Sequence, residues 1–263
     1  MRLSIKLFSR SLFLILFIAT ITLSSTLSAR DYYQIKVYSI KDKDQEARVE
    51  SYLKDAYLPA MHRAGVKKIG VFKPIASDPA AGTKIFVFIP LKKLGDFEEL
   101  EEKLETDKKY QTKGAEYINS KYDNPPYERL ESILIKAFAE MPNFEVPNYK
   151  TPVTEQIFEL RSYEGATEKI WKKKVEMFNE GGEVALFKKL KFNAVFYGEV
   201  LSGSAMPNLM YMTTFSDMKS HDEHWAAFGS HPNWKKLKGM EEYKNTVSHI
   251  DKYLMHPTEY SDI

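Results

Sequence analysis

"YYQIKVYSI" (32–40) and "IFELRSYEG" (157–165) resemble one another within a single chain, with Tyr38 falling on Tyr163 at an offset of 125 residues. The same offset lays "AMHRAGVKKIGVF" (60–72) on "ALFKKLKFNAVFY" (185–197). After a one-residue slip, "KIFVFIPL" (84–91) lies on "NLMYMTTF" (208–215), Phe97 on His221 and Tyr110 on Trp234. Similarity at a fixed long period marks a repeated structural unit, so the chain reads as a tandem duplication.

Each copy reads strand, helix, strand, strand, helix, strand by its periodicities. In the second copy, alternation from Ile157 to Tyr163 marks a strand. Ile170, Trp171, Val175, Met177 and Phe178 recur at helical spacing in a basic helix ending near Leu190, with Gly181 and Gly182 placing a kink in it. Two strands, about Val195 to Val200 and Leu209 to Thr214, flank a Gly203/Pro207 turn, followed by a helix from about Ser216 to Phe228 and a last strand from about Val247 to Met255. That order is the split βαβ unit of ferredoxin-like folds, an antiparallel four-stranded sheet with both helices on one face. Two such sheets can cover each other bare face to bare face. The expectation is an α+β fold of two tandem ferredoxin-like repeats, 30–140 and 154–263, packed as a pseudo-dimeric α/β barrel. The first copy's last strand is placed at about Glu131 to Phe138, and residues 141–153, rich in proline, are the linker.

The chain opens with Arg2, Lys6 and Arg10, an apolar run from Leu12 to Leu23, and small polar residues. This is the order of a signal peptide, with cleavage expected after Ala29 and export to the periplasm or medium. A run of twelve is short of the roughly 20 residues a membrane helix needs. The chain has 38 basic and 36 acidic side chains, and the leader holds three of the basic ones, so the mature protein is close to neutral. Its lysines are dispersed among glutamates, which disfavours nucleic acid as a partner. Zero cysteines exclude disulfides, thiol nucleophiles and thiolate metal ligands.

"FELRSY", then "KFNAVFYGEV", "HWAAFGSHPNW" and the ending "LMHPTEYSDI" together resemble the NIPSNAP family, whose domains belong to the dimeric α/β-barrel group. The resemblance covers the second copy, about 155–263, most specifically at "HPTEYSDI"; "YQIKVY" and "TDKKY" carry a weaker trace in the first. It implies roles in vesicle traffic or as an interaction protein and no agreed reaction. The exported pair of copies looks bacterial, where vesicle traffic has no setting. The wider group includes small-molecule oxygenases, isomerases and haem-handling proteins, and fold does not choose among them.

Three of the six histidines fall in "HDEHWAAFGSHPNW" (221–234). His231 lies on Asp107 of the first copy and precedes Pro232, so it reads as a helix N-cap or, alternatively, a ligand contact. His221 and His224 lie on Phe97 and Leu100, at the spacing of a buried helix stripe that Phe228 continues. They are packing groups, polar contacts in an aromatic pocket bounded by Trp225, Phe228 and Trp234, or metal ligands. Metal is disfavoured, because zinc needs at least three protein ligands and the zinc-protease helix spaces its histidines four apart. On the first strands, Glu159, Arg161 and Tyr163, with Gln34, Lys36 and Tyr38, are expected to face the barrel interior, held by a Glu159–Arg161 or Glu159–Lys36 pair.

No nucleotide glycine motif, G-x-S-x-G elbow or cysteine nucleophile occurs. The reading expects no cofactor and no metal, and a protein that binds a small organic ligand or a protein partner, with a homodimer as a further possibility. The alternatives are an interaction module without a ligand and a cofactor-independent oxygenase or isomerase. In the latter His221 or His224 is the base, Arg161 and Tyr163 are electrostatic contacts, and Glu159, Lys36 and Tyr38 join the site.

Overall fold

The computed structural model describes residues 29–263, and the expected leader, residues 1–29, lies outside the described residues except for Ala29. The first repeat runs β1 (Tyr32–Ser39), α1 (Lys43–Tyr52), a π turn (Leu53–Tyr57), α2 (Leu58–Arg63), β2 (Gly70–Pro74), β3 (Lys84–Leu91), α3 (Asp96–Thr106), α4 (Lys108–Lys113), α5 (Ala115–Ile118) and β4 (Arg129–Ala137). The second runs β5 (Ile157–Glu164), α6 (Glu168–Phe178), α7 (Glu183–Lys189), β6 (Phe196–Ser202), β7 (Asn208–Phe215), α8 (Met218–Ser230), α9 (Pro232–Gly239) and β8 (His249–Pro257). The basic helix is broken rather than kinked. Gly182 takes φ +86°, which carries the chain from α6 into α7 at an angle only glycine adopts freely.

The eight strands close into an antiparallel barrel in the order β1-β3-β2-β8-β5-β7-β6-β4. Two seams join the repeats, one setting Phe72 of β2 opposite Pro257 of β8 and the other Ile135 of β4 opposite Val200 of β6. Closure leaves no free sheet edge. Tyr33, Ile35, Phe72 and Phe88 of the first repeat meet Phe158, Leu160, Phe196 and Met255 of the second in one interior cluster. Each repeat's helices cover a further apolar cluster on the outside of its own sheet.

The strand face expected to line the interior is the wrong one. Phe158 and Leu160 point into the barrel, whereas Tyr163 and Tyr38 lie beneath the helices. Glu159, Arg161, Gln34 and Lys36 share that helix-covered face by alternation. Both faces of these strands are covered, so alternation separates two faces without saying which one is inside. The apolar face wins because a charge in the barrel core would have no partner to offset its desolvation. For the same reason no Glu159–Lys36 pair spans the repeats; Lys36 Nζ instead bonds Glu101 of α3 at 2.8 Å.

The linker is more than a spacer. Phe144, beyond β4, and Ile263, beyond β8, both pack against the interior cluster at the same end of the barrel. Tyr149 donates its hydroxyl to the carbonyl of Thr214 at 2.7 Å. At the β4–β6 seam, a Cβ on Gly198 would overlap the Ile135 side chain and lie 2.7 Å from the Lys136 carbonyl oxygen. Gly198→Val should therefore destabilise the barrel by about 1–3 kcal/mol in chemical denaturation. An unchanged midpoint would mean that the seam is not closely packed.

Candidate functional site at the helix–sheet interface of the second repeat

Asp217 starts α8 by accepting from the amide of Ser220 at 2.7 Å. The helix then crosses the outer face of β5 and β7, so its 221, 225 and 228 stripe meets the strand face carrying Glu159, Arg161 and Tyr163. The Glu159 side chain is 1% exposed. Its Oε1 accepts from Arg161 Nε at 2.9 Å, with Arg161 Nη2 2.7 Å away. Its Oε2 accepts from Trp225 Nε1 at 2.6 Å. The guanidinium of Arg161 lies over the Trp225 ring, 3.7 Å from its centre, a stacking that a planar cation favours. Arg161 Nη1 donates to Tyr163 Oη at 3.2 Å, and that hydroxyl is 2.8 Å from Tyr211 Oη.

His221 joins through charge. Its Nε2 lies 3.4 Å from Glu159 Oε2, outside hydrogen-bonding alignment, and its Nδ1 is 2.8 Å from Asp222 Oδ1. Burial opposes a charge on this imidazole, but Glu159 and then Asp222 outweigh it and raise its pKa above the ordinary 6.5. Burial likewise pushes Glu159 up, and His221 and Arg161 more than reverse that, holding it below 4.5.

The other expected residues separate. His224 is half-buried, its Nδ1 2.6 Å from the Ser220 carbonyl oxygen and its ring edge-on to Phe192 and Phe215. His231 is the N-cap of α9, its Nδ1 accepting from Asn233 N at 3.1 Å. Asp107 caps α4 in the first repeat. Phe228 is buried against Phe187, and Trp234 packs on Phe228. Lys36 and Tyr38 belong to the other helix–sheet interface, Tyr38 among Tyr117 and Tyr127. Sequence reasoning missed Tyr211, Thr213 and the buried Lys174–Glu183 pair, 2.8 Å apart. Lys174 sits three residues after Trp171 and four before Phe178, on the helix's buried stripe, and that spacing was the available signal. Thr213 pairs with Glu159 across β5 and β7, and its Oγ1 is buried without a hydrogen-bond partner. Burial raises the Glu183 pKa in spite of Lys174.

Beside this network a cleft of about 430 Å³ opens between α7 and the linker, lined by Met141, Val184, Phe187 and Tyr197 with Glu145, Lys188 and Asn193. Phe187 belongs to both places, its ring edge-on to Trp225 at 5.8 Å. Glu159 has both oxygens engaged, so it is a structural acceptor rather than a free base. The cleft has the size and mixed lining of a small-molecule site.

Two repeats closing one barrel define the architecture of a dimeric α/β barrel, fused here into a single chain. Residues 158–262 match the sequence model of the NIPSNAP family, so the second repeat is a NIPSNAP domain. Among solved structures, a monooxygenase-like protein from Lactobacillus acidophilus is similar over 87% of this chain and 94% of its own, with a TM-score of 0.55 and 12% identity. One from Fusobacterium nucleatum is similar over 88% and 93%, with a TM-score of 0.55 and 10% identity. An anthrone oxidase-like protein is similar over 89% and 93%, at 0.52 and 7%. At these identities the likeness is one of fold. No curated protein matches the chain. Among the described residues no helix is long and apolar enough to cross a membrane.

Arg161→Met leaves the Glu159 charge buried without its main partner and should cost about 3–5 kcal/mol. Adding Glu159→Gln should recover part of that loss, and additive costs would show that the two side chains are not coupled. The His221 pKa is raised on folding, so its contribution to stability is complete below pH 6.5 and is lost as pH climbs through the folded value. Glu159 contributes above pH 4.5 and loses its contribution as pH falls through its lowered value. The stability advantage of wild type over His221→Phe should therefore shrink from mildly acidic to mildly alkaline pH. An advantage independent of pH would place the imidazole outside the charge network.

Proposed function

We propose that this protein is a binding module for a small organic ligand with an apolar or aromatic body, held in the cleft between α7 and the linker. The observation that carries the reading is the cleft itself, about 430 Å³ with Phe187 and Tyr197 as its apolar wall and Asn193, Lys188 and Glu145 as its polar groups. That volume falls in the range of small-molecule sites, and a few polar groups on an aromatic wall suffice to orient a ligand. The Glu159 network supports this reading as scaffold. With its carboxylate engaged by Arg161 and Trp225, it fixes α8 and hence the Trp225 face against which Phe187 rests. The same engagement leaves Glu159 no free lone pair and Arg161 already paired, which favours binding over catalysis at this network, since a base needs a free lone pair aimed at a substrate.

Ala194 lines the cleft and is half-buried, so Ala194→Trp should fill it from the rim without opening the core. Native mass spectrometry of the purified protein should show a bound small molecule, or one captured from a metabolite mixture, in wild type and none in Ala194→Trp. Equal occupancy in a folded Ala194→Trp would remove the cleft as the binding place.

A further inference from the structure

The end of the barrel opposite Phe144 and Ile263 is polar, and its two halves differ at matched register positions. In the second repeat Glu164, the last residue of β5, pairs with His249 of β8 on one side and with Asn208 of β7 on the other, while Ser162 pairs with Asp251. Cross-strand partners share a face. This face is the interior one, continued by Tyr253 and Met255 along β8. Ligand atoms of Glu164, His249 and Asp251 all lie within 4.8 Å of one another, with His249 Nε2 3.1 Å from Asp251 Oδ1.

The first repeat is the internal control. Ser39 pairs with Arg129 and Lys84, and Val37 with Glu131, so at the equivalent positions it has Ser39, Arg129, Lys84 and Glu131. Where that half has one carboxylate and two cations, the second has two carboxylates, an imidazole and an amide. Among the described residues no Lys or Arg nitrogen comes within 4.0 Å of the Glu164 or Asp251 carboxylates. Two acids held this close without a cation repel each other. The amide and hydroxyl of Ser248 both bond the Glu164 carbonyl, at 2.8 and 3.1 Å.

A second observation points to the same place. Asn208 is 2% exposed, donates its Nδ2 to Ser162 Oγ at 2.7 Å, and leaves its Oδ1 buried without a partner. Asn208, Ser162 and Asp251 line one cavity of about 120 Å³ at this mouth, together with Lys84 and Glu131 of the first repeat. An unpaired buried amide oxygen costs free energy unless a donor or cation meets it.

We propose that Glu164, His249 and Asp251 bind a divalent first-row transition-metal ion of the zinc type at the barrel mouth. The imidazole sets the class. Magnesium and calcium take oxygen ligands, whereas one nitrogen with carboxylates suits zinc or manganese. Three protein side chains on a tetrahedral ion leave a position open for water or an exogenous donor.

The test is calorimetric titration of the purified protein with Zn²⁺ alone at neutral pH, for wild type, Asp251→Asn and His249→Arg. The last installs the residue that the first repeat carries at this register position, and the His249 side chain is 59% exposed, so folding should be undisturbed. Wild type should bind one ion saturably, and each variant should bind at least roughly ten-fold more weakly with an unchanged metal-free melting temperature. Zn²⁺ should raise the melting temperature of wild type only. No saturable binding by wild type, or unchanged affinity in both variants, overturns the proposal. So does binding that survives in His249→Arg and disappears in His221→Phe/His224→Leu.

Discussion

Each repeat lays its helices on one face of a four-stranded sheet and leaves the other face apolar and bare, and the rest of the structure follows from covering it. Neither sheet can do so alone. Closing the two at β2–β8 and β4–β6 pools the apolar residues of both repeats into one interior cluster. Burial of this kind is worth roughly 25 cal/mol per Å² of apolar surface, and it is lost if water enters along the axis. One end is therefore covered by Phe144 and Ile263, residues that follow the equivalent strands β4 and β8. Close approach at the seam explains why β6 carries glycine at 198.

Duplication put the same strand face under both sets of helices, and the two repeats resolved its charge differently. In the first, Lys36 reaches Glu101, whose side chain is 55% exposed, an ion pair of the kind that contributes little. In the second, the carboxylate is Glu159 on the strand itself, and Trp225 takes the helix position equivalent to Glu101. The charge is thereby drawn beneath the helix, where it must be fully paired. Arg161 meets that demand by forking onto Glu159 while stacking on Trp225. The result ties α8 to β5 and holds the aromatic wall that the cleft shares.

The same comparison explains a structural asymmetry of the molecule. The second repeat is the NIPSNAP domain, and it holds the buried charge network and most of the lining of the ligand-sized cleft. The first repeat supplies the other half of the core and, with the linker, the Met141 and Glu145 side of that cleft. Neither the interior nor the cleft is complete within one repeat.

The sequence by itself determined the duplication, the element order, the pairing of two sheets and several local devices. His231 opposite Asp107 reads as an N-cap because capping depends on the few residues that surround it. The stripe 221, 224 and 228, with Trp225 beside it, was legible because helical spacing is local, and Glu159 with Arg161 because they stand two apart on one strand. Only the tertiary structure decided which strand face turned inward, since alternation is unchanged when a strand covered on both sides is turned over. It also decided the cleft, whose walls come from residues about 50 apart in the chain, and the mouth where Glu164, Asn208 and His249 converge. Those meetings are set by sheet register and barrel closure, which many distant contacts decide jointly and no single stretch of sequence encodes.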